Sequence, residues 1–263
     1  MRNQNNSADV VLITPERIVA NANEGTPADR IYGALVIDVS QNKPLSLSTD
    51  DDPTRDAELA IIPPHTRHRV ATLDHHLFKV IIEAETVDIP KVIERLSSTE
   101  VRRLATASHM REGFKQLAQI AEHEIDIDQH FFGEALVPRL LDLRIQKNID
   151  EINVDPGDNL SARDCAALTG LSESRFSHLF RAETGASFRD FRTWKHARSF
   201  VPFVTGYYNL VDVALQIGYA DAPHFSRSTR HVYGVTPTDI YNVSRKLHVV
   251  VQRPTPRASA ASR

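Results

Sequence analysis

Two short stretches of this chain carry hydrogen-bonding side chains on one face of a helical pattern. In Gly170-Leu-Ser-Glu-Ser-Arg-Phe-Ser-His-Leu-Phe-Arg-Ala-Glu-Thr-Gly185, Phe176, Leu179 and Phe180 fall at i, i+3 and i+4 and form a buried stripe. That leaves Ser174, Arg175, Ser177, His178 and Arg181 outward. Gly218-Tyr-Ala-Asp-Ala-Pro-His-Phe-Ser-Arg-Ser-Thr-Arg-His-Val-Tyr-Gly234 repeats the pattern. Phe225-Ser226 matches Phe176-Ser177, Arg227 matches His178, Arg230 matches Arg181 and Gly234 matches Gly185, all at an offset of 49 residues. Here Phe225, Val232 and Tyr233 point inward and Ala222, His224, Ser226, Arg227 and Arg230 are left for contacts. Donors and acceptors with few acids among them suit the edges of bases and the phosphates of a duplex. Arg227 is the candidate for a bidentate contact to guanine, or else for a bridge to an acidic neighbour, and His178 is expected to reach DNA. Arg175, Arg181 and Arg230 read as phosphate clamps or as solubilising charges, since half to two-thirds of protein–DNA hydrogen bonds go to phosphate and sugar.

The elements that must hold these faces are legible on either side. Leu160-Ser-Ala-Arg-Asp-Cys-Ala-Ala-Leu-Thr-Gly170 predicts a first helix with Ala162, Cys165 and Ala166 inward, small enough for a second helix to come close. Gly170 ends it in a position suited to positive φ, and Ser172 is a good N-cap for the helix that follows. In the second unit Asn209 caps Leu210–Ile217, Gly218 supplies the turn, and Asp221 caps a helix whose first turn tolerates Pro223. Helix, glycine turn, helix with a polar outer face is the helix-turn-helix pattern, whose second helix enters the major groove.

With these residues in place the sequence strongly resembles the AraC/XylS family of bacterial transcription regulators. The resemblance covers roughly residues 155 to 245, and loosely the region before them. Its specific pieces are Ser172, Phe176-Ser-His-Leu-Phe-Arg181 and Gly185, then Gly218-Tyr219, His224-Phe-Ser-Arg227 and Tyr233-Gly-Val-Thr-Pro237. It implies two helix-turn-helix subdomains joined by a long linking helix, both recognition helices lying in successive major-groove segments. On matching positions Ser174, Ser177 and His178 are base-edge readers, and Ala222, Pro223, His224, Ser226 and Arg227 form the corresponding second surface. The family also implies double-stranded DNA and RNA polymerase as partners, a homodimer formed through paired helices, a small effector, and activation as the commoner mode. Several positions depart from its pattern. Thr229 replaces a bulky apolar packing residue, Ala222-Pro223 offers less hydrogen bonding than usual, and Phe200 replaces a small one. Pro202 falls in the predicted interior of the linking helix and should kink it. The first unit is thus expected to read DNA better than the second.

The rest of the chain predicts an α+β protein. Val10–Ile13, Ile31–Val39, Leu45–Ser48, Glu58–Ile62, Arg69–Leu73 and Phe78–Ile82 are closely spaced β-rich runs, which indicates an antiparallel sandwich or small barrel. Ile61-Ile-Pro-Pro-His-Thr-Arg-His-Arg-Val70 resembles a turn of cupin-like sensor domains. His65 and His68 are candidates for lining an effector pocket. A metal site is not expected: no Glu completes the usual cupin set in this turn, and adjacent His75-His76 would point to opposite faces of a strand. From Pro90 the pattern turns helical, with Phe114, Leu117, Ile120 and Ala121 as one stripe and Leu136, Leu140, Leu143 and Ile149 as another. Glu122–Asp128 reads as a solvated acidic connection, and Asn153-Val-Asp-Pro-Gly-Asp158 as a linker. The expected organisation is a sensing or dimerising domain over 9–150, a double helix-turn-helix domain over 155–247 and a flexible tail over 248–263.

Hydrophobic residues at 41% and charged ones at 25% indicate a globular chain. With no apolar run near the ~20 residues that span a bilayer, no membrane association is expected, and the polar start indicates a cytoplasmic protein. The net charge of -3 hides an asymmetry: residues 1–150 carry 17 Lys+Arg against 24 Asp+Glu, and residues 151–263 carry 14 against 10. The positive half is the one with the two outward faces. Cys165 is the one cysteine, which excludes an internal disulfide, and no cofactor is expected. An enzyme on the cupin-like half, or an N-terminal interaction module without a small ligand, are the alternatives to an effector-modulated regulator.

Overall fold

The computed structural model describes residues 9–23, 28–51, 54–74, 76–158 and 160–252. The β-branched runs form β1 (Val10–Ile13), β2 (Arg17–Asn23), β3 (Arg30–Ile31), β4 (Ala34–Ser40), β5 (Leu45–Thr49), β6 (Arg55–Ala57), β7 (Leu59–Ile62), β8 (Arg67–Thr72) and β9 (His76–Glu83). A last strand, β10 (His248–Val251), comes from beyond the helical half. The strands form two sheets, ordered β10-β1-β2-β9-β4-β7 and β3-β8-β5-β6. Pairing is antiparallel except where β10 lies parallel to β1, with Val10 opposite His248 and Ile13 opposite Val251. The cupin-like expectation of an antiparallel β unit holds.

β4 explains why its run is apolar throughout rather than alternating. Ala34 and Val36 face a core shared with Leu45, Leu47 and Val70 of the smaller sheet. Leu35, Ile37 and Val39 face the helices α1 (Ile89–Ser97), α2 (Glu100–Ile120) and α3 (Ile127–Phe132). A strand covered on both sides loses its polar alternation. Asp38 is the exception, and Lys79, its cross-strand partner, donates to both its carboxylate oxygens at 2.7 and 2.9 Å. A buried charge is tolerable when it is paired in this way.

Two expectations are corrected in the helical part, and one helix is longer than its stripe shows. α2 runs unbroken through Gly113, where a Cβ would stand 3.2 Å from Phe131 and 3.3 Å from His130, so glycine lets α3 approach. The stripe from Leu136 to Ile149 is not one helix. α4 spans Leu143–Val154, while Leu140 and Leu143 are 91% and 84% exposed. The inner side of α4 (Ile145, Ile149, Ile152) packs with Cys165, Phe176 and Phe180, so α4 joins the core of the first helix-turn-helix rather than that of the sheets. The acidic run is structured: Asp126 caps α3, Asp128 takes a bidentate contact from Arg17 at 3.0 and 2.9 Å, and His248 lies 2.7 Å from Glu122.

The expected flexible tail is also corrected at its start. Residues 248–251 are β10, because Val249 and Val250 find apolar neighbours at the edge of β1 and Gln252 donates to the carbonyls of Ala121 and His123. Residues 253–263 lie outside the described residues.

Candidate nucleic-acid interface

Local chemistry builds both units. Ser161 caps α5 (Ala162–Leu168) in a capping box with Asp164, and Ser172 caps α6 (Glu173–Thr184) by accepting from the Arg175 amide. Asn209 caps α8 (Leu210–Gln216) and Asp221 caps α9 (Ala222–Tyr233), with Pro223 in the first turn. Each cap satisfies amides that a helix start leaves free. Gly170 and Gly218 make the turns at φ 67° and 90°, and Gly185 and Gly234 close the outer helices at 79° and 75°. The three caps assigned from sequence, Ser172, Asn209 and Asp221, and the four glycines stand where the sequence puts them, and Ser161 adds a cap that the sequence reading did not assign.

α6 and α9 are the same length and occupy positions 49 apart, but the turns before them differ. Gly218 follows Gly170 by 48, so one extra residue separates glycine from cap in the second unit. Phe176 and Phe180 are buried among Phe188 and Phe191, with ring centroids 5.2 to 5.7 Å apart. The second unit packs Phe225 against Phe200 at 5.0 Å and Tyr219 at 5.1 Å. Phe200, unusual by the resemblance, therefore supplies volume to this core. Thr229 is fully buried at the place of a bulkier residue, with no hydrogen-bond partner for its hydroxyl.

Outward, Ser174, Arg175, Ser177, His178 and Arg181 of α6 are all exposed, as are Pro223, His224, Arg227 and Arg230 of α9, with Ala222 and Ser226 half-buried. Ser174, Ser177, His178 and Arg181 share one face, and Pro223, Ser226, Arg227 and Arg230 share the matching one. His224 lies to one side, its ring edge-on to Tyr219 at 5.2 Å. Among the described residues Arg227 forms no ion pair, and neither do Arg175, Arg181 and Arg230. That disposes of the bridge from Arg227 to an acidic neighbour; Arg230 attracts Asp239 at longer range, which leaves three uncommitted guanidinium groups on the two faces.

The helix between the units is shorter than expected. α7 (Phe188–Arg198) stops at Arg198, and Pro202 stands in the first turn of a separate 3-10 segment, Val201–Thr205. The proline thus opens a new element instead of kinking the interior of an old one, a position where its missing N–H is unneeded. His196 on α7 grips the second unit: Nε2 donates to the Ile217 carbonyl at 2.7 Å and the ring stacks on Tyr219 at 3.8 Å. Burial pushes its pKa below the ordinary imidazole value, against the pull of that carbonyl.

α7 also faces the sheets, a feature the sequence did not announce. Trp194 Nε1 donates to Glu83 Oε2 at 2.9 Å, and Lys195 Nζ lies between Glu83 and Glu85, 2.5 Å from Glu85 Oε1. Arg198 Nε stands 3.3 Å from Glu83 Oε1, an ion pair outside hydrogen-bond geometry. Burial works to raise Glu83, but Lys195 and Arg198 outweigh it and hold that carboxyl low. At Glu85 burial wins over Lys195, and the carboxyl is raised. Gly33 admits the indole, since a Cβ there would overlap Trp194.

The two histidine candidates part company. His68 is buried inside the β unit, with Nδ1 2.8 Å from the Thr66 carbonyl and its ring 5.6 Å from Tyr32. His65, in left-handed backbone at φ 61°, lines a cavity of about 220 Å³ with Asp190, Trp194 and His231. A larger cavity of about 890 Å³ lies between the β unit, α4 and α7, and neither histidine reaches it. Among the described residues no group of three or more His, Cys, Asp or Glu is placed to hold a metal ion, and no helix is long and apolar enough to cross a membrane. Burial pushes the Cys165 thiol up to about 11, the state of an inert core residue.

Comparison with known proteins agrees with this geometry. Residues 165–242 match the helix-turn-helix domain family. InvF, an invasion protein of Salmonella typhi, is 32% identical over 75 residues, covering 28% of this chain and 35% of InvF. An HTH-type transcriptional regulator of Staphylococcus aureus is 24% identical over 178 residues, covering 62% of this chain and 22% of that protein. The matches thus span about a third or less of these relatives' length. An apo variant of ToxT from Vibrio cholerae shares the fold, with a TM-score of 0.56 at 11% identity over 86% of this chain and 96% of ToxT. ToxT is also solved with an unsaturated fatty acid bound, at a TM-score of 0.50 and 12% identity, covering 92% and 98%. The C-terminal region is a helix-turn-helix domain, and the resemblance to AraC/XylS regulators holds for it in sequence and for the chain in fold.

Proposed function

We propose that this protein is a sequence-specific transcription regulator that reads duplex DNA with α6 and α9 and is modulated through its N-terminal β unit. One observation carries the reading: two capped, glycine-closed helices of equal length, each backed by phenylalanines, present uncommitted arginines beside Ser177, His178 and Ser226. Such a face combines phosphate positioning with base-edge contact. The fold likeness to a protein solved with a fatty acid supports a small effector, and it favours a regulator over an enzyme. Val101 and Leu104, exposed on α2, support a homodimer formed through that helix. RNA polymerase as a partner and a cytoplasmic location complete the proposal.

The direct test is selection of bound fragments from genomic DNA by the full chain, followed by mobility-shift titration. A shared motif bound about a thousandfold or more tighter than bulk DNA is expected. Equal affinity for every fragment across a salt series would refute the reading.

A further inference from the structure

The two reading helices stand on cores that share no side chain among the described residues. α6 rests on the core that contains Phe188 and Phe191 of α7, and α9 on the core that contains Phe200 and Tyr219. α7 is the bridge between them, yet it ends at Arg198, before the second core begins. Its Trp194 and Ala197 meet Val232 and Tyr233 in the core shared with the β unit, which holds α9 by its last turn. A polar junction on another face of α7 holds the other end. Arg192 and His196 lie one turn apart there. Arg192 Nη1 donates to the Leu160 carbonyl at 2.6 Å, and Nη2 donates to that of Asp158. Both carbonyls belong to the connection between α4 and α5, where Asp155 Oδ1 accepts from the Gly157 and Asp158 amides at 3.0 and 3.2 Å. His196 donates to the Ile217 carbonyl in the turn before α9 and stacks on Tyr219, whose hydroxyl donates to Ser228 Oγ of α9 at 2.9 Å. Connection and turn also touch directly. A Cβ on Gly157 would stand 2.5 Å from the Ile217 carbonyl oxygen, so glycine is what lets the two backbones meet.

We infer that this junction of Arg192, His196 and Gly157 fixes the distance and angle between α6 and α9, and so selects the spacing of DNA half-sites that the chain accepts. Arg192 and His196 are positioning residues, since neither lies on a reading face. With α9 held at its last turn, a second hold at the turn before it removes the remaining pivot. Two binding modules on a rigid link reward the spacing that matches and reject others, whereas a loose link tolerates several. The choice of spacing rests on the regulator reading, while the fixed geometry does not.

Spin labels on Ala182→Cys and His231→Cys, exposed positions 49 apart on α6 and α9, report the separation of the two helices in the DNA-free full chain by pulsed electron paramagnetic resonance. Cys165 is buried and stays unlabelled. One narrow distance distribution is expected. Gly157→Ala forces the connection off the turn, and Arg192→Met with His196→Phe removes the donors while keeping stem and ring; each should broaden or shift that distribution. On duplexes whose half-sites are moved apart or together in single base-pair steps, the unaltered chain should lose about tenfold or more at a misplaced spacing, and either variant about threefold or less. Affinity for a duplex carrying one half-site should not change, a result that a general loss of stability would not give. The parental distance distribution in either folded variant, or equal losses at every spacing and on the single half-site, would overturn the inference. The two variants act on opposite sides of the junction, so if one fails to fold the other decides. Absence of sequence preference in the unaltered chain would sink the regulator reading, and the label distances would still decide the junction. Broadened distances with an unchanged preference for spacing would overturn the selection of spacing alone.

Discussion

Arg227 and Arg181 lie on equivalent faces of two helices but at different points along them. Arg227 stands beside Ser226 in the middle of its face, where His178 stands in the first unit, whereas Arg181 lies a turn further toward the helix end. Arg227→Ala is expected to relax preference at one base position, with a loss of about 1–3 kcal/mol against the preferred site. Arg181→Ala should weaken all sequences alike and reduce the salt slope by about one. Mobility-shift titrations over single-base variants of a selected site check this; equal losses on every sequence from both variants would abolish the division of roles. His196 makes a second residue-level prediction. Its pKa is lowered by burial, so the unfolded chain takes up the proton more readily than the folded one. The stability it gives the contact with Ile217 is complete above the ordinary imidazole value of 6.5 and is lost as pH falls below it. Ring resonances followed by NMR should titrate His196 below that value; titration at or above it would show that the stacking on Tyr219 does not desolvate the ring. The outward residues and the caps were legible in sequence because both depend on chemistry within one turn of helix. The surroundings of His65 and His68 were not, since their neighbours come from Tyr32 and from α7.

Among elements, the glycine turns separate a conformational requirement from a packing one. Gly170 and Gly218 both take positive φ, but a Cβ on Gly170 meets nothing within 4 Å, while one on Gly218 would stand 2.8 Å from Gly157. Gly157 lies in the linker that the sequence marks, and its own Cβ would stand 2.5 Å from the Ile217 carbonyl. Gly170→Ala should therefore cost about 1–2 kcal/mol, the left-handed penalty alone. Gly218→Ala should cost about 2 kcal/mol or more, because the linker must also move. Urea melts of the two variants give the comparison, and equal midpoints would show that the linker contact is soft. This level was readable where turn residues punctuate it. It failed where they do not: β2 was missed because Arg17, Asn21 and Asn23 interrupt its apolar pattern, and Arg17 is satisfied by Asp128, which lies 111 positions away. α3 was hidden inside an acidic run, one of whose members turned out to be its cap.

For the molecule as a whole, the two units are joined by contacts that no periodicity records. Glu83 and Lys195 are 112 positions apart, Gly33 owes its identity to an indole on α7, and β10 returns from the second helix-turn-helix to pair with β1. The second unit shares in this more deeply than the first. Val232 and Tyr233, at the end of α9, lie in the same apolar core as Ile13, Tyr32 and Trp194, whereas α6 packs in a core that α4 through α7 complete among themselves. The two helix-turn-helix units thus differ in footing: one is built on its own core and the other partly on the β unit. Gly33→Ala tests that coupling without straining the backbone, since its φ lies outside the left-handed region and the overlap is with Trp194 alone. The indole should be pushed from its bond to Glu83, shifting Trp194 emission to the red and lowering the melting temperature of the β unit and α9 together. Hydrogen exchange should leave α5 and α6 as protected as before, because their core has no member from the sheets. Equal loss of protection in both helix-turn-helix units would mean that the chain opens as one body and that the heads are not independently founded.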